Sequence, residues 1–252
     1  MTAIFETRKD SCPQHGEFEA RRFGRFGGWS RCPICDQDLA KEIEATKTQT
    51  EKDLAAERIL ARLNASGIPV RYHDRTLHAY QATNPGQRKA LAFAQQYLDE
   101  WSEVERTGRS ALWIGTPGTG KTHLAIGVCL ALLDRDKSVY YTTVQRAVRR
   151  VRDTWDAENR TETEKQAVQA MTGCDLLVLD EVGVQTGSQS EQNLLFDLIN
   201  ERYNMRRPTI LLSNLPQQEV VALLGERIID RLREDGGRVV AFDWQSWRKN
   251  NA

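Results

Sequence analysis

The 252-residue chain has no net charge, since 35 Lys and Arg balance 35 Asp and Glu. A strongly basic nucleic-acid coat and an acidic disordered tail are both excluded. No apolar run exceeds the ten residues from Leu124 to Leu133, glycine included, whereas a bilayer-spanning helix needs about 18. No membrane partner is expected. The stretch from Met1 to Glu6 lacks a basic segment followed by an apolar one, so export is not expected and the cytoplasm is the expected compartment. Internal repeats and low-complexity tracts are missing too. Cysteine is scarce and unpaired: there are five, and three fall within the first 35 residues beside His15. That distribution suits metal ligation in a reducing compartment better than a disulfide framework. At roughly 150 residues per domain, the length predicts one full domain and a smaller appendage.

Along the chain, residues 1–36 hold the Cys/His cluster with glycine and aromatics (Phe23, Phe26, Trp29) and almost no helical periodicity. From Asp36, a candidate N-cap, to Asn64 the sequence is charged and helix-forming, with sparse apolar positions at Leu39, Ile43, Leu54, Ile59, Leu60 and Leu63. One long or once-broken helix is predicted, so residues 37–69 read as a linker or partner-binding helix. Residues 70–252 read as the core domain, beginning with a connector and an amphipathic helix carrying Leu91, Ala94, Tyr97, Leu98 and Trp101. From Ser110, short apolar runs alternate with helices. Strands are predicted at 111–114, 139–142, 176–179, 209–212 and 239–242, with helices at about 121–134, 144–156, 161–172, 189–204 and 216–233. That alternation predicts a parallel sheet covered on both faces.

Gly115-Thr116-Pro117-Gly118-Thr119-Gly120-Lys121-Thr122 follows a predicted strand and opens a helix. This is the context in which glycine-rich backbone curls N–H groups around phosphate oxygens, with Lys121 on the outer phosphates and Thr122 on magnesium. The apolar run 176–179 then delivers Asp180 and Glu181 to a strand C-terminus, where ligands bind in open α/β sheets. Asp180 would support magnesium, and Glu181 would polarise the attacking water, so the pair points to hydrolysis. Asn214 follows the fourth core run and would orient that water or sense the terminal phosphate; the alternative is a cap before Pro216. Arg227 and Arg231 stand four apart on one helical face. One would stabilise transition-state charge in a neighbouring subunit and the other would touch its own nucleotide. The alternative is a solvated face paired with Glu226 and Asp230.

Cys12 and His15 form a C-x2-H knuckle, and after sixteen residues Cys32 and Cys35 form C-x2-C. Four such ligands close a tetrahedral shell, so a structural zinc is expected to supply the folding energy this aliphatic-poor segment lacks. Arg21, Arg22, Phe23, Arg25, Phe26, Trp29 and Arg31 interleave basic and aromatic residues. They read either as a surface that tracks phosphates and stacks bases or as arginines around a small aromatic core of the ribbon, and the second is favoured. Cys129 and Cys174 read as core residues. His73, His78 and His123 have no ligand-like spacing.

These residues carry a resemblance. Gly115 to Thr122, Asp180-Glu181-Val182-Gly183-Val184-Gln185-Thr186, Ser213-Asn214, Gly225-Glu226-Arg227 to Arg231 and the ending Phe242-Asp243-Trp244-Gln245-Ser246-Trp247-Arg248 resemble DnaC-type replicative helicase loaders of the AAA+ class. The likeness runs from about Asn64 onward. It implies an AAA+ P-loop domain that binds ATP with Mg2+, with Asn214 as first sensor, Arg227 as trans-acting arginine finger and Arg231 as second sensor. Only 38 residues follow Asn214, too few for a full helical lid, which is similar to the DnaC and IstB group. Arg146, Arg149, Arg150 and Arg152 cluster on the helix after the second core strand, and by charge alone they read either as a DNA contact or as a solvated face. The resemblance implies that this region faces an assembly channel and meets single-stranded DNA. The zinc-ribbon-like module departs from the familiar enterobacterial loader.

The function expected is ATP-dependent loading of a DnaB-type ring helicase onto single-stranded DNA, with self-association through the ATPase core. Two alternatives share parts of this pattern. An IstB-like transposition helper uses the same core, and a zinc-stapled nucleic-acid adaptor would use nucleotide only as a switch, against which Glu181 and Arg227 argue.

Overall fold

The computed structural model describes residues 4–24, 26–156, 158, 160–183 and 189–247. Arg25, Val184, Gln185, Thr186 and Arg248, named above, lie outside the described residues. The chain divides into two compact units, Met1–Arg58 and Ile59–Ala252.

In the first unit, β1 (Ile4–Cys12) pairs antiparallel with β2 (Gly16–Phe23), with Cys12 opposite Gly16. The turn between them requires Gly16, whose φ is +80°. The following helix, α1, spans Pro33–Ala65 without interruption. It begins three residues before the expected N-cap Asp36, because Pro33 presets the helical φ at a position where no N–H is needed. Cys35 therefore sits in its first turn. No described side chain of α1 is buried, and Leu39, Ile43 and Leu54 stay exposed.

The expected aromatic core of the ribbon is not formed. Phe26 is 96% exposed and Phe23 46%, and only Cys12, Ala20 and Cys32 are buried among the described residues of this unit. Trp29 lies under the Arg8 guanidinium, 4.4 Å from the ring centroid, and bridges to Arg22. With so little apolar burial, the cysteine cluster is the centre of the unit.

The second unit opens, after the last turns of α1, with α2 (Pro85–Asp99) and α3 (Trp101–Thr107). A capping box between Asn84 and Gln87 starts α2. The chain then alternates β3 (Ala111–Gly115), α4 (Lys121–Leu133), β4 (Val139–Thr143), α5 (Val144–Asp153), α6 (Glu164–Thr172), β5 (Leu176–Val182), α7 (Gln189–Asn204) and β6 (Thr209–Ser213). It ends with α8 (Gln217–Leu224), α9 (Glu226–Arg233) and β7 (Arg238–Phe242). The single helix expected over 216–233 is broken at Gly225, whose φ of +78° no helix contains. All pairings in the five-stranded sheet, ordered β4-β5-β6-β3-β7, are parallel.

Strand periodicity builds two cores. Trp113, Leu176, Val178, Ile210 and Leu212 face one layer, with Ala94, Tyr97 and Leu124; Leu112, Leu177, Leu179 and Leu211 face the other, with Val148, Met171 and Ile229. Cys129 and Cys174 are buried, one in each layer, as expected. One buried cation was not anticipated. Arg202 on α7 donates to the carbonyls of Met171, Thr172, Cys174 and Pro208 at 2.7–3.0 Å and so ties α6, β5 and β6 together. Among the described residues, no helix is long and apolar enough to cross a membrane.

Candidate nucleotide site and metal cluster

β3 delivers the glycine-rich loop to the C-terminal edge of the sheet. Gly115 has φ +147°, and a Cβ there would lie 2.2 Å from the Phe242 carbonyl of β7. No other residue fits both demands. Lys121 is buried, and its Nζ donates to the carbonyls of Gly115 at 2.6 Å and Thr116 at 2.9 Å. Burial draws its pKa down to about 8.

The second acidic motif meets this loop directly. Asp180 is buried at the end of β5, and its Oδ2 accepts hydrogen bonds from the Thr122 and Tyr141 hydroxyls, both at 2.8 Å. Burial, reinforced by the adjoining Asp180, pushes the Tyr141 hydroxyl far above the usual phenol range, so it stays a donor. Tyr141, from β4, was not singled out in the sequence. The only signal for it is its place, two residues from the end of a strand that pairs with β5 in register.

Glu181 is aimed elsewhere by a β-bulge. The β5–β6 ladder slips between Leu179 and Val182, so Asp180 and Glu181 together oppose one β6 residue. Glu181 takes φ +59° and is exposed at the cleft. Such a conformation costs a non-glycine residue about 1–2 kcal/mol. The two carboxylates therefore diverge, one held against Thr122 and one toward solvent. Asn214 lines the same cleft, whereas its neighbour Ser213 is buried and donates to the Val182 carbonyl at 2.6 Å.

The cleft, about 570 Å³, has a second wall that the motifs do not mark. Arg71, Tyr72, Arg75 and Tyr80 come from the segment before α2, and His123 and Trp247 join them. The His123 ring meets Tyr80 edge-on at 5.2 Å, and its Nε2 lies 3.0 Å from the Thr76 carbonyl. Neither Arg227 nor Arg231 lines the cleft. Arg227 is exposed on α9, and the Arg231 guanidinium lies 4.9 Å over the Tyr203 ring.

The arginine cluster on α5 is split by its partners. Arg150 forks onto both Glu162 oxygens at 2.7 Å and donates to the Tyr140 hydroxyl at 2.6 Å. Arg146 and Arg149 remain exposed, and Arg160, passed over in the sequence, joins them around a cavity of about 450 Å³.

In the first unit, the ligand atoms of Cys12, His15, Cys32 and Cys35 all lie within 4.8 Å of one another. His15 Nδ1 lies 3.7, 3.7 and 3.3 Å from the Cys12, Cys32 and Cys35 sulfurs, and the Cys12 and Cys35 sulfurs are 3.5 Å apart. A tetrahedral zinc with bonds of about 2.0–2.3 Å has ligand edges of roughly 3.5–3.8 Å, so this donor set fits one. Backbone amides of Gln14 and His15 hold the Cys12 thiol down to about 6, and the hydrogen bond to that Cys12 sulfur in turn pushes Cys35 up to about 11; a bound cation would favour both thiolates. The other His15 nitrogen faces the Asp38 carboxylate at 3.7 Å, which favours Nδ1 as the ligand atom.

Comparison with known proteins agrees with this geometry. A family model described as IstB-like ATP binding protein matches residues 46–252. The replicative helicase loader DnaC of Escherichia coli (strain K12) is 36% identical over 198 residues, covering 79% of this chain and 79% of that protein. The loader DnaC of Buchnera aphidicola subsp. Schizaphis graminum is 33% identical over 216 residues, or 86% and 82% of the two chains. A crystal structure of the DnaC helicase loader has the same fold, with TM-score 0.60 at 23% identity over 69% of this chain and 99% of that one. The cysteine cluster lies ahead of the family match.

Proposed function

The chain belongs to the family of IstB-like ATP-binding proteins, and from that premise we propose that it is a Mg2+-dependent ATPase that loads a DnaB-type ring helicase onto single-stranded DNA in the cytoplasm. The observation that carries this reading is the divergence of Asp180 and Glu181 at the mouth of the cleft, in a chain so similar to named helicase loaders. A chain that only bound nucleotide would have no use for a strained, exposed carboxylate there.

Residues 115–122 cradle the phosphates of ATP, and Lys121 exchanges its two carbonyl partners for phosphate oxygens. Thr122 and Asp180 would hold magnesium, which would supply charge compensation on the transferring phosphoryl group. Tyr141 keeps Asp180 fixed. Glu181 takes a proton from the attacking water, which Asn214 orients. Arg227, exposed outside its own cleft, serves the site of a neighbouring copy, and Arg231 acts as second sensor once released from Tyr203. Arg146 and Arg149, with Arg160, meet the phosphates of single-stranded DNA. Arg150 shapes that surface through Glu162.

The zinc-ribbon-like module 1–36 and the helix that follows form the handle for the helicase. The α1 stripe of Leu39, Ile43 and Leu54 buries nothing within the chain, a pattern suited to a partner's groove. The core begins earlier than the expected residue 70, since Leu63 and Ile68 pack into it and the Ser66 carbonyl accepts from Tyr141 N. The test is deletion of residues 1–58. The shortened chain should bind ATP as the full chain does yet fail to capture the helicase in a pull-down and fail to support loading on single-stranded DNA. Capture at full-length affinity would place the handle elsewhere.

A further inference from the structure

The phosphate loop is tied to the segment after β7. Trp244 Nε1 donates to the Thr119 carbonyl at 2.9 Å, and Trp247 N donates to the Gly118 carbonyl at 2.9 Å. The Tyr80 hydroxyl also approaches the Thr119 carbonyl, at 3.4 Å. Trp244 is itself fixed. Its ring lies 5.0 Å from Phe242, and at Gly86 of α2 a Cβ would come within 2.8 Å of it. Gly120 is crowded likewise, with φ +96° and a Cβ position 2.7 Å from the Tyr80 ring.

In a trans peptide, C=O and the following N–H point in opposite directions. Pinning the carbonyls of Gly118 and Thr119 to the tail therefore turns the N–H groups of Thr119 and Gly120 away from it, free for phosphate oxygens. The carbonyls of Gly115 and Thr116 differ, because they are held by Lys121, which must leave them to reach phosphate. The tail contacts are independent of that exchange.

We propose that Trp244, through its indole N–H, and Trp247, through its backbone N–H, are positioning groups that set the phosphate loop for the triphosphate. The proposal rests on the reading that this cleft binds ATP. A C-terminal segment of the chain thereby tunes nucleotide affinity, and any partner that lifts it weakens ATP binding.

The test is calorimetric titration of the full chain with ATPγS. Trp244→Phe keeps the ring against Phe242 and Gly86 and deletes only the donor; its affinity should fall about fivefold, the worth of a single hydrogen bond. Trp247→Ala removes the indole that lines the cleft but keeps the N–H, whereas Trp247→Pro removes both, so the proline variant should bind about fivefold more weakly than the alanine variant. That split between proline and alanine is not expected of a merely structural role. Folded Trp244→Phe and Trp247→Pro chains at wild-type affinity would overturn the proposal, as would equal losses in the alanine and proline variants. Should Trp244→Phe fail to fold, the Trp247 pair decides alone. A wild-type chain without affinity for ATPγS would instead overturn the ATP reading.

Discussion

The Thr122 hydroxyl donates to the Asp180 carboxylate at 2.8 Å, joining residues 58 apart in the chain. The bond unites the start of α4 with the end of β5, and it leaves Glu181 one residue further on, turned out by the bulge. In the proposed reaction, metal binding and bond cleavage fall to adjacent carboxylates in different environments. Replacing Glu181 by Gln should leave ATPγS affinity within about twofold and lower hydrolysis by roughly a hundredfold to ten-thousandfold, as expected for removal of a general base. Steady-state phosphate release beside a binding titration reads both effects. Unchanged turnover would remove Glu181 from the reaction.

The sequence makes the sheet legible because each strand is an apolar run between helices, and the sheet needs both faces covered. The phosphate loop is legible because its eight positions sit between a strand and a helix. Tyr141, Tyr80 and Trp244 were not legible as site residues. Their roles depend on which strand adjoins β5 and on where the tail returns, and these are matters of topology rather than local spacing. The partner of Arg150 was not legible for a related reason, since the charge of α5 is visible in sequence but its pairing with Glu162, twelve residues on, is not. The ribbon aromatics failed differently. Too few apolar neighbours exist in the first unit to bury Phe26, so it stays in solvent.

Arg227 gives a prediction that depends on assembly. It is exposed and absent from the lining of its own cleft, so Arg227→Ala should bind ATP normally yet hydrolyse it at least about a hundredfold more slowly. Lys121→Ala should lose binding. Mixed together, the two variants should partly restore phosphate release, because an Arg227→Ala site can receive the intact arginine of a Lys121→Ala neighbour. No gain over the separate variants would mean that Arg227 acts within its own subunit or is structural.

The metal cluster makes a compositional prediction. Purified protein should carry zinc through Cys12, His15, Cys32 and Cys35, and Cys32→Ser should lose it, because removing one thiolate opens the closed shell. Acid should release the metal as protons compete for the thiolates. The hairpin of β1 and β2 should lose its order with the metal, while ATP binding by the second unit persists. Elemental analysis of both proteins checks the first claim, and equal zinc in wild type and variant would refute the ligand set.

On the proposed reading, Lys121 should set the pH dependence of nucleotide binding. Burial lowers its pKa from 10.5 to about 8, so the cost of keeping it charged in the folded chain is present in full below pH 8 and is relieved as pH rises from there toward 10.5. Binding runs the other way. A phosphate oxygen needs the charged ammonium, so above pH 8 the lysine must take up a proton when ATP binds, and affinity should fall by up to about tenfold per pH unit. Near neutrality the lysine is already charged, and little uptake should accompany binding. Calorimetry in two buffers of different ionisation heat, near pH 7 and again near pH 9, separates these regimes. Proton uptake confined to the higher pH supports the exchange of Lys121 from the Gly115 and Thr116 carbonyls onto phosphate. Its absence there would mean either that Lys121 is already charged at pH 9 in the free chain or that it does not bind the triphosphate.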